Sequence, residues 1–404
     1  MSNKVSSHLF ELIKSLNKSE KRYFKLFSSR HTIGEENGYL KLFDFIDRMD
    51  TYQEDLIFMH FKGQALLNKF SITKARLYSN ILRSLDSFNA NTSHDAQLYR
   101  SIHCSDILYD KGLYKQCEKL LKSAEKQAKK YERFNLLLEI KQKQKKLIEN
   151  ELYTEIKAVQ ITKMFEEEKT LIDEIKTDHQ LWNVKSLLFQ EINIKGNVRN
   201  EQDTLKLKEL VDRISNINVK NYSTKINYLY NHIYGAYYFS VNDLECSYHH
   251  LQANVNLLED HSTTFKNRPN LYFSVLTNII YISTRLKKYD EAEEYLFKLK
   301  RLSSDRKSQK TLDLDIKYFS SSSSLELFLL IEKGDYHKAE ELVPQIEEAY
   351  RLYGDHINSL RKAYIDFKVG IIYLSIGEYS KALNWINKVL NESKIDQKQD
   401  IYCF

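Results

Sequence analysis

The chain has 404 residues, a net charge of +6 at pH 7, and only 10 Gly and 2 Pro. So little Gly and Pro argues against turn-rich all-β folds and against disordered Pro/Gly-rich chains. The small excess of positive charge does not indicate nucleic-acid binding without a local basic patch. No apolar run is long enough for a membrane span. The N-terminus leads into a polar amphipathic stretch rather than a secretory signal, which predicts a cytoplasmic protein.

Apolar residues recur at helical spacing in the first part of the chain. This spacing predicts five helices, near 5–16, 19–29, 38–48, 53–67 and 73–88. The polar segment from Asn89 to Asp95 is the best domain boundary. We therefore expect residues 1–90 to form an N-terminal helical domain.

The last of these predicted helices resembles the recognition segment of a helix-turn-helix. A hydroxyl residue caps it, and Leu77, Ile81 and Leu85 are spaced to pack inward. The residues that would face DNA are Lys74, Arg76, Ser79, Asn80 and Arg83. Many amphipathic helices share this pattern, and the preceding turn lacks Gly. A structural N-terminal bundle is therefore favoured over DNA contact.

A different pattern recurs from residue 95 to residue 393. Its clearest copy is DFKVGIIYLSIGEYSKA at 366–382, and shorter copies are LIEKGDYHKA at 330–339 and LYDKGLYKQC at 108–117. Each copy has a turn residue, followed two positions later by an aromatic or aliphatic residue. The turn residues are Gly112, Glu151, Gly196, Asn242, Lys287, Gly334 and Gly377. Gly and Asn suit these positions because the end of a helix favours a residue that tolerates a left-handed backbone.

The residue five positions after the turn is often small. These residues are Cys117, Ser247, Ala292, Ala339 and Ala382. A small side chain there lets a second helix lie close against the first, and Gly235 and Gly370, seven positions before their turns, open room for the same contact. Cys117 is therefore expected to serve packing rather than reactivity.

This pattern resembles the tetratricopeptide repeat (TPR). The turns are 39 to 47 residues apart, whereas the family repeats every 34 residues or so, so we expect longer helices of about 18–20 residues. The resemblance implies an all-α fold, a right-handed α-solenoid of about seven TPR-like helix pairs over 95–393 with a concave groove. Residues 394–404 would form a C-terminal tail.

In the TPR family the first helix of each pair lines the groove. Counting back 13, 10, 6, 3 and 2 positions from the turns gives the inward residues that the resemblance implies. In the central repeats they include Asn183, Ser186, Gln190, Asn193, His232, Phe239, Ser274, Thr277, Tyr281 and Arg285. Their amides, hydroxyls and rings suit an extended peptide. Ten positions before each turn only Lys141 is basic, which argues against a clamp for C-terminal carboxylates.

Three local features bear on the helices. The run Ser320–Ser324 lies among apolar residues at helical spacing, which favours a tightly packed, small-residue helix face over a linker. Pro269 falls where a helix is expected to begin. Pro344 falls about two turns into the helix after Gly334, where we expect a kink.

The sequence contains no phosphate-binding loop, dinucleotide fingerprint, zinc-protease motif or nucleophile elbow. Cys246, His249 and His250 could share a helix face, but a fourth metal ligand is missing. We therefore expect no catalysis, metal or cofactor, and predict a scaffold that binds a protein or peptide partner. The alternative is a transcriptional regulator with an N-terminal DNA-binding module, a plan that resembles bacterial peptide-sensing regulators. A dimer remains an open alternative to a monomer.

Overall fold

Helices account for almost all of the ordered secondary structure. The computed structural model describes residues 7–29, 38–90, 93–154, 156–195, 198, 200–261, 269–304 and 312–391. Within these ranges the chain has no β-strand, which confirms the all-α prediction. None of the helices in the described ranges combines the length and the apolar character that crossing a bilayer requires.

The chain divides into two compact units, an N-terminal unit of residues 1–157 and a C-terminal unit of residues 158–404. The helices of the N-terminal unit are α1 (His8–Ser15), α2 (Lys18–Ser29), α3 (Gly38–Arg48), α4 (Glu54–His60), α5 (Phe70–Asn89), α6 (His94–Asp110), α7 (Tyr114–Lys130) and α8 (Phe134–Asn150). All five helices predicted before residue 90 are present, with the fourth divided into α4 and a 3-10 helix at Ala65–Leu67. A separate domain at 1–90 stays a prediction.

Apolar residues spaced along α1, α3 and α5 meet in the core of the first part of this unit. Ile13, Phe43 and Ile46 are fully buried there together with Leu77 and Ile81 of α5. The inward face predicted for the last of the five helices is therefore confirmed. Burial of each such side chain stabilises the fold by about 1.5–3 kcal/mol.

The C-terminal unit consists of helices that pack as consecutive hairpins. They are α9 (Ala158–Lys195), α10 (Glu201–Asp212), α11 (Thr224–Ser240), α12 (Leu244–Asp260), α13 (Pro269–Arg285), α14 (Tyr289–Ser304), α15 (Leu312–Lys333), α16 (Tyr336–Glu340), α17 (Val343–Tyr353), α18 (Ser359–Ser375) and α19 (Tyr379–Leu390), with 3-10 helices at Val219–Asn221 and Gly354–His356. Hairpins form between α11 and α12, α13 and α14, and α18 and α19. First helices also pack against each other, α9 on α11, α13 on α15 and α15 on α18.

The turns within these hairpins share one hydrogen-bond pattern. At Gly377 the backbone N–H donates to the Leu374 carbonyl at 3.2 Å, and the next N–H donates to the Tyr373 carbonyl at 2.9 Å. This is the Schellman motif that closes a helix with a left-handed residue. The same pair of bonds, with φ between +60° and +84°, occurs at Gly112, Asn242, Lys287 and Gly334. Five of the predicted turns are thus confirmed.

The other two predicted turns have different outcomes. Glu151 has φ of −84°, and the left-handed residues are Leu152 and Tyr153, so the predicted turn residue is wrong by at least one position. Gly196 lies outside the described residues. A further left-handed turn at Glu132, between α7 and α8, was not predicted.

The helices differ from expectation in length. The first helices α6, α11, α13 and α18 each have 17 residues, slightly fewer than expected. Links between pairs, such as residues 354–358 between α17 and α18, take up further residues of the period. Where two helices were predicted between Glu151 and Gly196, α9 runs unbroken for 38 residues. The count of seven pairs and the right-handed solenoid stay predictions.

Close helix contacts occur where the small residues were predicted. The Ser247 hydroxyl donates to the Gly235 carbonyl at 2.8 Å, and Ala292, Ala339 and Ala382 are buried. A Cβ on Gly370 would lie only 2.6 Å from Ile386 Cδ1, so Gly370 does permit the contact between α18 and α19. By contrast, a Cβ on Gly235 would make ordinary contacts at 3.7 Å, so the contact between α11 and α12 there does not require glycine.

The prolines lie where a helix start and a kink were predicted, and the serine run is helical rather than a linker. Pro269 is the first residue of α13. Pro344 lies in the first turn of α17, after a break in the helix at 341–342. α15 continues without interruption through Ser320–Ser324, and Ser320 and Ser324 are buried.

Candidate binding site

Aromatic contacts join the first helices of neighbouring pairs. The Phe239 ring of α11 meets the Tyr281 ring of α13 edge-on, with centroids 6.1 Å apart. Tyr281 in turn stacks on Phe328 of α15 at 5.1 Å. The Lys368 Nζ of α18 lies 4.8 Å from the centre of the Phe328 ring. α11, α13, α15 and α18 therefore lie in this order and share one face, which we call the first-helix face.

A cavity of about 180 Å³ lies between α13, α15 and α18. Its lining is more apolar than polar and also includes hydroxyl groups and two cationic side chains, from Phe273, Ser274, Thr277, Lys317, Ser320, Ser321, Ser324, Leu325 and Arg361. The serine run of α15 thus forms one wall, because its small side chains leave space between the helices. None of the described residues that line the cavity is acidic.

The two cations of the cavity are held by neighbours on other helices. Arg361 Nη1 donates to the Ser320 hydroxyl at 3.2 Å. The Lys317 Nζ lies 4.7 Å from the centre of the Phe273 ring, within the range of a cation–π interaction. No ion pair joins Arg361 to a carboxylate of the described part of the chain.

The predicted groove residues are spread along the first helices rather than gathered at one place. Thr277 lines the cavity together with Ser274. The other predicted residues do not line it. Of these, Asn183, Gln190, Asn193 and Arg285 are exposed, Ser186, His232 and Phe239 are partly buried, and Tyr281 is buried.

Tyr281 belongs to the hydrophobic core of the C-terminal unit rather than to an open groove. Its exposed fraction is 7%, and its ring packs between Phe239 and Phe328. The Arg285 Nη1 donates to the Tyr281 hydroxyl at 3.2 Å. The prediction that Tyr281 lines an open groove is therefore wrong. Its ring instead packs between the first helices α11 and α15.

His232 also has a packing role in the structure. Its ring stacks on Phe189 of α9 at 5.2 Å and on Tyr228 at 5.9 Å. Burial lowers the pKa of His232 to about 4, and the nearby charge of Lys185 contributes to the decrease. The imidazole is therefore neutral at pH 7, which suits its place between two rings.

The sequence analysis missed the cations of the cavity. Lys317 lies 17 residues before Gly334, and Arg361 lies 16 residues before Gly377. The inward positions were counted only to 13 residues before each turn, although first helices of 17 residues extend further. The run of serines was the available signal, because small hydroxyl residues on a buried face can line a polar cavity.

The residues proposed for DNA contact lie on α5, which packs through Leu77 and Ile81. Lys74 forms an ion pair with Glu54 of α4 at 2.9 Å and is only 18% exposed. The remaining residues on this face are mostly exposed: Arg76, Ser79 and Arg83 are exposed, and Asn80 is partly buried. Because a carboxylate already neutralises Lys74, the positive charge of this face comes from the two arginines.

The cysteines and histidines singled out by the sequence have local partners. Cys117 is buried and its thiol donates to the Ser105 carbonyl at 3.2 Å. Burial raises the pKa of the Cys117 thiol, which disfavours the reactive thiolate. His250 Nδ1 lies 3.0 Å from the Asn231 amide oxygen. Within the described ranges no three His, Cys, Asp or Glu side chains are arranged to hold a metal ion.

Comparison of the sequence with protein-family models gave no match, and a search of curated proteins also gave none. A functional assignment therefore depends on the geometry described above.

Proposed function

We propose that the protein is a non-catalytic scaffold that binds a peptide, or an extended segment of a protein partner, on the first-helix face. The observation that carries the proposal is the series of contacts from α11 through α13 and α15 to α18, with a cavity between the last three helices that includes several hydroxyl groups. Helix hairpins that stack through their first helices create extended binding surfaces in repeat proteins. A TPR-like, right-handed superhelix is part of this proposal.

The chemistry of the face suits an extended chain. A bound peptide backbone needs hydrogen-bond partners along its length, and the hydroxyls of Ser274, Thr277 and Ser321 can both donate and accept. Exposed apolar side chains are available on α18, where Phe367 is 43% exposed and Leu374 is 58% exposed. Exposed aromatic residues of this kind often dominate binding energy.

The test compares one substitution on the first-helix face with a matched substitution on a second helix. The full chain, Phe367→Asp and Phe297→Asp are immobilised and exposed to a random peptide library. Phe297 lies on α14, a second helix, and is 67% exposed. We expect selected peptides to bind Phe367→Asp at least about tenfold more weakly than the unchanged protein, because an aromatic contact is lost. Phe297→Asp should bind normally.

Two results would contradict the proposal. One is equal loss of peptide binding in Phe367→Asp and Phe297→Asp, which would show that peptides do not bind preferentially to the first-helix face. The other is selective retention of nucleic acid that is abolished by charge reversal at Arg76 and Arg83. That outcome would place the functional site on α5 and favour the alternative of a DNA-binding transcriptional regulator. The ion pair of Lys74 with Glu54 gives that alternative no support.

A further inference from the structure

We infer that the tyrosine-rich side of α11, together with two carboxylates beside it, binds an arginine-containing basic segment of a protein partner. This site is separate from the first-helix face. His232 and Phe239 of α11 contact the first helices α9 and α13. Tyr234 instead contacts α10 and α12: its hydroxyl donates to the Val211 carbonyl at 3.2 Å, and its ring stacks on His250.

Aromatic rings cover this side of α11 in a continuous cluster. Tyr230, Tyr234 and Tyr238 are spaced by four residues, so they follow one another along one side of the helix. The centroids of successive rings are 4.6 Å and 6.1 Å apart. Tyr237 meets Tyr238 edge-on at 5.1 Å, and His250 stacks on Tyr238 at 5.7 Å. These five residues, which we call the tyrosine cluster, are all partly exposed.

The hairpin of α11 and α12 is locally acidic in a chain with a net charge of +6. No lysine or arginine occurs between Lys225 and Lys266, although these two residue types make up 61 of the 404 residues. The same stretch contains four acidic residues, Asp243, Glu245, Glu259 and Asp260. Glu245 and Glu259 form ion pairs with lysines of the next hairpin. The negative charge that is left lies partly at Asp243, at the start of α12.

Two exposed carboxylates lie beside the tyrosine cluster. Asp212 is the last residue of α10, and Asp243 caps α12 by accepting a backbone hydrogen bond of 3.0 Å. Burial and the neighbouring Tyr238 raise the pKa of Tyr237. The charges of Asp212 and Asp243 add to this increase, which places both carboxylates near the Tyr237 hydroxyl. Neither carboxylate forms an ion pair with a lysine or arginine of the described residues.

The combination of rings and carboxylates matches a guanidinium group. Aromatic rings present a negative face that attracts a cation. Arginine can stack its planar guanidinium on such a ring while its N–H groups pair with carboxylates, whereas lysine offers only a compact point charge. His250 does not compete at pH 7, because burial lowers its pKa and keeps the imidazole neutral. Nucleic acids and other anions would be repelled by the same carboxylates.

Calorimetric titration of the full chain at low, constant ionic strength tests the carboxylates. The probe is a blocked peptide of alternating alanine and arginine, compared with the same peptide carrying lysine or citrulline, an uncharged isostere, in place of arginine. The variant Asp212→Asn/Asp243→Asn removes both charges, and asparagine retains the helix cap at position 243. Asp313→Asn/Asp315→Asn is the control, because it removes the same charge from exposed positions of α15 in the same unit.

Two substitutions at Tyr237 test the rings in the same titration. Tyr237→Phe keeps the aromatic face, whereas Tyr237→Leu removes it. Phe367→Asp, on the first-helix face, separates this site from the proposed peptide site. Circular dichroism without peptide verifies that each variant is folded. The aspartate variant decides the outcome if Tyr237→Leu does not fold, because its substitutions lie at exposed positions.

We expect the arginine peptide to bind the unchanged protein at least about fivefold more tightly than the citrulline peptide, and more tightly than the lysine peptide. Binding should weaken at least about fivefold in Asp212→Asn/Asp243→Asn and about threefold in Tyr237→Leu. It should stay unchanged in Tyr237→Phe, in Phe367→Asp and in the control at positions 313 and 315.

Four results would each overturn the inference. They are no binding of the arginine peptide, equal affinity for the arginine peptide and either of the other two, equal weakening in the two double aspartate variants, and a weakening in Phe367→Asp as large as in Asp212→Asn/Asp243→Asn. The last result would place the arginine on the first-helix face instead.

Discussion

Single residues set the distance between paired helices, and Gly370 is the clearest example. Replacing it with leucine would place a side chain where Ile386 Cδ1 already lies 2.6 Å from an added Cβ. We predict that Gly370→Leu lowers the free energy of unfolding by about 1–3 kcal/mol, the usual effect of overpacking. Thermal denaturation followed by circular dichroism should show a melting temperature lower by several degrees.

Gly235 offers a matched control for Gly370 in an equivalent helix position. An added Cβ there would make only ordinary contacts at 3.7 Å. Gly235→Ala should therefore be neutral or stabilise slightly, since alanine favours a helix by up to about 1 kcal/mol over glycine. Adding Ile386→Ala to Gly370→Leu should restore part of the lost stability. An unchanged melting curve for Gly370→Leu would show that α18 and α19 are not in close contact.

His232 should make stability depend on pH. Its pKa is lowered to about 4 in the folded protein, against about 6.5 when unfolded, so below pH 6.5 the unfolded chain binds more protons. Stability from this residue is therefore complete above pH 6.5 and is lost as the pH falls toward 4. We predict that His232→Phe removes about 2 kcal/mol of the stability decrease between pH 7 and pH 5, measured by urea denaturation.

The control for His232 is His337→Asn, at an exposed position on α16. This variant should lose stability with falling pH as the unchanged protein does. Some dependence on pH should remain in His232→Phe, because burial also lowers the pKa of His250. If His232→Phe and the unchanged protein lose the same stability between pH 7 and pH 5, the imidazole is protonated without penalty and is not buried between its rings.

Counting positions back from the turn residues predicted some features of the site residues and missed others. It named Thr277 and Ser274, which line the cavity between α13, α15 and α18, because position along a helix determines which face a residue occupies. It could not distinguish an exposed residue from a buried one, so Tyr281 was assigned to an open groove. Depth of burial depends on the partner helix, here the Phe328 ring of α15, which no local pattern contains.

At the scale of elements, the same turn position is occupied by lysine in one hairpin and by glycine in another. Exchanging the two residue types tests what a left-handed backbone costs. Lys287 has φ of +60° and Gly334 has φ of +80°, each in the same Schellman motif. A left-handed residue with a Cβ costs roughly 1–2 kcal/mol. We therefore predict that Lys287→Gly raises the free energy of unfolding by up to about 1 kcal/mol, and that Gly334→Lys lowers it by a similar amount. Urea denaturation measures both.

Lys338→Gly is the control for the turn exchange, because Lys338 lies within the helix α16 and is exposed. Glycine within a helix costs about 1 kcal/mol, so this substitution should destabilise the protein. The same sign of change for Lys287→Gly and Lys338→Gly would show that the left-handed backbone at Lys287 stores no strain.

The sequence predicts helix hairpins well where a turn residue is distinctive and poorly where it is not. Gly112, Gly334 and Gly377 mark their turns because glycine alone adopts a left-handed backbone without cost. The turns predicted at Glu151 and Gly196 flank α9, which contains no Gly or Pro across its 38 residues. Nothing in that segment interrupts helical hydrogen bonding, so one long helix forms where two were expected.

At the scale of the whole molecule, the C-terminal unit should respond to damage locally. α18 packs against α15, α16 and α19, and stacked helix pairs draw their stability from nearest neighbours. The strain of Gly370→Leu should therefore spread to adjacent helices and fade beyond them. Two buried clusters reflect this order, one around α15 to α19 and one around α9 to α11.

Hydrogen exchange of the full chain can measure how far the strain spreads. In Gly370→Leu we expect the amides of α18 and α19 to exchange fastest relative to the unchanged protein, those of α15 to change less, and those of α11 and α12 to keep their protection. Gly235→Ala should leave every helix unchanged, because its added Cβ meets no atom closer than 3.7 Å. Equal acceleration from α11 to α19 would show that the unit unfolds as one cooperative body. In that case the helix pairs would not act as repeats, and the comparison with a stacked TPR-like array would lose its energetic basis.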